Sequence, residues 1–164
     1  MRIAIGAAAL MLAAASCSNK PAQAPPATGQ VFTERCVICH QSNAQGIAGM
    51  YPPLADSIGN YVREPGGRQY LVHVLLNGLS GPLDVKGTTY NGLMPQFASL
   101  SDDDVAEALN EVLERYNSSE LPADFQPITP DEVKAGRALE ETPSQLKNER
   151  AQIFDELKAA GDAK

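Results

Sequence analysis

Three side chains at fixed spacing carry the chemistry of this chain: Cys36, Cys39 and His40, in the run Cys36-Val37-Ile38-Cys39-His40. Two thiols separated by two residues share one helical turn, so each can add across a vinyl group on one edge of a porphyrin. The adjoining imidazole can then take the iron as proximal ligand. That is the pattern for covalent attachment of one haem c. Competing uses of the cysteines fit less well. A tetrahedral zinc site needs two further ligands, and the rest of the chain offers only Cys17 and His73. A thioredoxin-like dithiol sits in a βαβ context, whereas the flanks here read as helix and loop. A plain disulfide leaves His40 unexplained.

Iron held by one histidine has a second axial position. Met94 is favoured for it, because Gly92 and Pro95 punctuate its loop and let a side chain be delivered across the ring. Met50 belongs to the loop leaving the proximal side. His73 lies in a helix between apolar neighbours, where a hydrogen-bonded histidine is the ordinary explanation. A thioether favours ferrous iron, so His40/Met94 ligation raises the reduction potential and leaves no site for substrate. The function that follows is single-electron transfer rather than catalysis. The alternative is a haem enzyme or gas sensor with an open sixth position. Pro53 keeps a carbonyl, which the second nitrogen of a proximal histidine requires as acceptor; a plain rigid turn is the other reading.

These residues need positioning elements, and the periodicity supplies helices. The first spans about residues 29–39 and carries Val31 and Phe32 into the cysteine motif. A second covers Arg68 to Asn77, with Gly78 placed to end it. A third opens at Ser101, a capping residue followed by three aspartates that suit a helix N-terminus. Residues 40–61 and 78–100 read as turn-rich loops. After residue 117, two capping boxes at Thr129 and Thr142, each with proline at the first helical position, start helices over about 131–140 and 144–160. The expected fold class is therefore all-α. This C-terminal extension, residues 118–164, either wraps its own domain or docks a partner.

Composition narrows the setting. Only 5% of the 164 residues are aromatic and none is tryptophan, which suits a core supplied in part by a cofactor. A net charge of -7 argues against nucleic acid and for a redox partner with a basic docking surface. Residues 1–16, with Arg2 before an apolar run, read as a cleaved signal peptide. Ala14-Ala15-Ser16-Cys17 is similar to a lipobox, which makes Cys17 the expected lipidated N-terminus, followed by a proline-containing tether over residues 17–28. The expected location is the periplasmic side of a bacterial membrane, with contact through the lipid anchor.

Cys36-Val37-Ile38-Cys39-His40-Gln41, Tyr51-Pro52-Pro53-Leu54-Ala55, Tyr90-Asn91-Gly92-Leu93-Met94-Pro95 and Leu100-Ser101-Asp102 together resemble the class I cytochromes c, in particular bacterial periplasmic single-haem domains. The resemblance covers roughly residues 29–117. It implies three main helices around one haem, with the first and last crossed, and an electron-transfer role beside a larger oxidoreductase. It also implies that Pro53 accepts a bond from His40 and that Leu54 packs on the haem. Where the family often has tryptophan, Tyr61 would bind a propionate, assisted by Arg63 or Arg68.

Overall fold

A computed structural model describes residues 28–64 and 66–161. The expected signal peptide, Cys17 and nearly all of the tether lie outside them. The chain enters through a π-helical turn, Phe32–Cys36, that runs directly into a short α-helix, Val37–His40 (α1). π-turns concentrate at functional sites, and this one abuts the cysteine pair. The helix start is seated on a later helix: Glu107 accepts from Thr28 Oγ1 at 2.7 Å and from the Gln30 amide at 3.1 Å. Phe32, 2% exposed, sets its ring 5.4 Å from that of Tyr116.

A 3₁₀ turn, Gly59–Arg63, leads to α2 (Gly67–Asn77), and α3 (Asp102–Tyr116) opens with a full capping box between Ser101 and Asp104. Gly78 ends α2 with φ +74° and its amide on the Val74 carbonyl. Where a turn-rich loop over residues 78–100 was expected, the structure has an antiparallel hairpin, β1 (Leu79–Val85) and β2 (Thr88–Met94). The all-α expectation is corrected on this point: the protein is mainly helical with one two-stranded sheet. Lys86 and Gly87 both have positive φ, the two-residue turn whose twist matches paired strands. Pro82 is tolerated because both strands are edges.

The C-terminal extension lies against its own domain. α4 (Pro130–Gly136) packs on α2 and α3, and α5 (Pro143–Ala160) packs along α2, β1 and the 3₁₀ turn. Both helices start in the capping boxes read from Thr129 and Thr142. Leu146, Ile153 and Leu157 bury the inner stripe of α5 in the main core with Leu71, Leu109 and Leu113. Polar clamps fix the connection. Asn110, 1% exposed, exchanges two bonds with the backbone of Ile128, at 2.9 and 2.7 Å. Arg137, the residue that caps the end of α4, donates to the Ala98 and Leu100 carbonyls and to Asp102, so the segment after β2 is tied to the extension.

Candidate cofactor site

The cysteine motif opens onto a crevice between α1, the 52–60 loop, the hairpin and α5. Two adjoining cavities make it up, of about 1180 and 1110 Å³ with open solvent at the mouths included. They share Cys36, His40, Pro52, Leu79, Leu83 and Met94 as walls. Aliphatic, proline and aromatic side chains make up most of both walls, so the space suits a flat, mostly apolar group.

His40 is 7% exposed, and its Nδ1 lies 2.9 Å from the carbonyl oxygen of Pro52. That carbonyl can only accept, so Nδ1 carries the proton and Nε2 keeps its lone pair for a metal. Burial pushes the imidazole below its ordinary pKa, partly offset by the bond to Pro52. The ring is thereby kept neutral, the form that binds iron. The expected acceptor was Pro53; the structure puts it one residue earlier. The reason lies at Gly46, whose φ is +63° and whose amide bonds the His40 carbonyl at 2.9 Å. A Cβ at Gly46 would overlap the Tyr51 carbonyl oxygen and stand 2.6 Å from that of Pro52. Only glycine lets this loop fold in closely enough to present the Pro52 oxygen to His40. Pro53 and Leu54 follow as crevice wall.

Cys36 and Cys39 are both half-buried and free, not joined in a disulfide. Burial, and then the neighbouring Cys39, push the Cys36 thiol up to about 11. A thioredoxin-like nucleophile needs the opposite shift, so the environment disfavours dithiol redox chemistry. The wall fits haem on a further count: Ser57 Oγ is buried with no hydrogen-bond partner among the described residues, a donor left for a polar edge of a bound group.

Met94, half-buried at the last position of β2, lines both cavities and pairs with Leu79 across the hairpin. A Cβ at Gly78 would stand 2.5 Å from the Met94 carbonyl oxygen, so the chain leaving α2 holds this strand end close. Neither rival reaches the same position. His73, 2% exposed, is absorbed by the α2–α5 interface beside Glu149, and Met50 lines only the outer cavity and is 56% exposed.

Tyr61 lines the crevice, but Arg63 and Arg68 do not. Arg63 donates to the carbonyls of Glu120 and Leu121, and Arg68 to Glu132, Gln126 and Pro127. Both guanidiniums are spent on fastening the extension, which corrects their expected role at a propionate. Sequence reasoning also missed that α5 contributes Arg150, Phe154 and Leu157 to the crevice wall. The signal was present, since residues 150, 154 and 157 recur at helical spacing.

A crevice built from a C-x-x-C-H turn, with a histidine held in its metal-binding tautomer, defines a protein that carries haem c covalently. The chain belongs to the cytochrome c family, whose profile matches residues 27–110. It is similar to cytochrome c-552 of Thermus thermophilus, at 42% identity over 127 residues, 77% of this chain and 97% of that protein. A second Thermus thermophilus cytochrome c-552 matches at the same identity and spans 86% of its own length. The chain is accordingly a haem-binding electron-transfer protein rather than an enzyme. Cys36 and Cys39 suit one haem.

Proposed function

We propose that this protein is a His40/Met94-ligated single-haem carrier on the periplasmic side of a bacterial membrane. The observation that carries the reading is that His40 and Met94, delivered by separate elements, line the same crevice. Bound haem supplies reversible one-electron chemistry at its iron, with His and Met raising the potential. The chain's own residues do the rest. Cys36 and Cys39 hold the group covalently, and the Pro52 carbonyl fixes the tautomer and direction of His40. Leu54, Leu79 and Leu109 exclude water, so the surroundings change little when one electron is gained or lost. The test is carbon monoxide added to the ferrous holoprotein at neutral pH. The absorption spectrum is expected to stay unchanged, and ready formation of a carbonyl adduct would show an open sixth site and sink the carrier reading.

The outer cavity suggests where electrons leave. Ile38, Leu93 and Met50, respectively 82%, 74% and 56% exposed, stand at its wall beside the cysteines. Exposed apolar clusters of this kind mark contact sites, and the net charge of -7 steers a basic partner surface toward the protein. Among the described residues no helix is long and apolar enough to cross a membrane. Cys17 is the proposed lipid anchor, with residues 17–28 as tether. In cell fractionation, wild-type protein is expected to sediment with membranes through a high-salt wash that strips its partner. Cys17→Ser is expected to move it to the soluble periplasmic fraction. Soluble wild-type protein would overturn the anchor, and a partner retained at high salt would overturn charge-guided docking.

A further inference from the structure

We propose that Arg137 is a positioning residue for Met94, so that the C-terminal extension braces the loop that carries the sixth ligand. The proposal rests on Met94 ligation as read above, and it gives that ligation a residue outside the crevice wall. A thioether is a neutral donor, and how firmly such a ligand stays on iron depends on the groups that hold its backbone. Residues 95–101 run from the end of β2 to Ser101, the N-cap of α3. Pro95, Gln96, Ala98 and Ser99 are exposed, whereas Phe97 and Leu100 are half-buried. Burial therefore gives this loop little support of its own.

Hydrogen bonds and close backbone packing hold it from two directions. On the α2 side, the Phe97 amide donates to the Leu75 carbonyl at 2.8 Å. Gly78 presses on the same stretch, since its Cβ would stand 3.0 Å from the Gln96 nitrogen as well as against Met94. On the other side stands Arg137. Its Nη1 donates to the Ala98 carbonyl at 2.7 Å, its Nη2 to the Leu100 carbonyl and its Nε to the Asp102 carboxylate. All three nitrogens of one planar group thus grip the stretch 98–102, a geometry that the fork of a guanidinium suits and a single ammonium does not.

Such a grip matters only if Arg137 is itself fixed, and α4 fixes it. The Arg137 amide bonds the Val133 carbonyl at 3.0 Å, and Val133 is fully buried. At Gly136 a Cβ would stand 2.7 Å from Val72 Cγ1, so α4 lies close against α2. The capping box at Thr129 and the Asn110–Ile128 pair fasten the start of α4. The loop after Met94 is therefore clamped between α2 and α4, two elements that pack on each other. Without the guanidinium, the half of the loop from Ala98 onward loses its tie to α4, and Met94 leaves the iron more readily.

Imidazole added to the ferric holoprotein tests this. At saturating imidazole the binding rate is set by how often Met94 leaves the iron. In Arg137→Gln that rate is expected to rise about tenfold, the lower end of what losing an outer-shell partner costs a metal site. Arg68→Gln is the control, because Arg68 fastens the extension through Glu132, Gln126 and Pro127. Its melting temperature is expected to fall while its imidazole rate stays at the wild-type value. If Arg137→Gln fails to accumulate as holoprotein, Arg137→Lys keeps a cation that reaches fewer acceptors, and a smaller rise is expected. A wild-type rate in the Arg137 variant overturns the proposal, as does an equal rise in Arg68→Gln. Failure of Met94 ligation is read separately: the wild-type ferric protein would then lack the long-wavelength absorption of sulfur-bound iron.

Discussion

Met94→Ala is expected to lower the reduction potential by on the order of 0.2 V, within the roughly 0.8 V range that axial ligands command. The same variant is expected to bind carbon monoxide in the ferrous state. The reasoning begins with hardness. A neutral thioether stabilises ferrous iron; water or hydroxide in its place stabilises ferric iron and pulls the potential down. The geometry offers no ready substitute. His73 is held between α2 and α5, and Met50 stands at the exposed outer rim. The hairpin itself should survive, since Met94 is its terminal pair and half-buried. Redox titration beside a thermal melt separates the two effects. An unchanged potential in a folded variant would assign the axial role to another residue.

Asn117→Ala is expected to cost about 3–5 kcal/mol of folding stability, the largest loss foreseen for a single exposed-to-nothing polar side chain here. Asn117 is 0% exposed. Its Oδ1 accepts from the amides of Ser57, Ile58 and Gly59 at 3.0, 3.1 and 3.1 Å, and its Nδ2 donates to the Val112 carbonyl at 2.8 Å. One oxygen therefore accepts from three consecutive amides, of which that of Gly59 also reaches the Glu120 carboxylate at 3.2 Å. Leaving each unmade costs roughly 1–3 kcal/mol, less where water can enter. Ser57 and Ile58 are also crevice wall, so the haem spectrum should shift as well as the denaturation midpoint. Urea titration with an unchanged m-value would measure the loss, and a change under about 1 kcal/mol would mean that the loop has other support.

What sequence revealed here divides along physical lines. Local chemistry was legible: the C-x-x-C-H turn, the stop at Gly78, and the helix starts at Ser101, Thr129 and Thr142, all found as expected. Each depends on residues within a few positions of one another. The hairpin was obscured because Gly81, Pro82, Asn91 and Gly92 suggest turns, whereas the true turn is Lys86-Gly87. The alternation of Leu79, Gly81, Leu83 and Val85 was the period-two signal that outranked them. The shift from Pro53 to Pro52 follows from a close approach at Gly46 that no local pattern encodes. Arg63 and Arg68 were misread for a similar reason: their partners at 120–132 are far away in sequence. Long-range pairing of surface charges leaves no periodic trace.

Because α5 is the last described helix of the chain yet closes one wall around Cys36 and His40, the order of events in making this protein is constrained. The cysteines leave the ribosome long before residues 150–157 do. Contacts between such distant segments form late, after the entropy of closing the intervening loop has been met. The growing chain therefore passes through a period with its attachment turn in place and one side of the crevice open. That interval is a loading window, and the helix arriving last works as the door that shuts on a group already fastened inside.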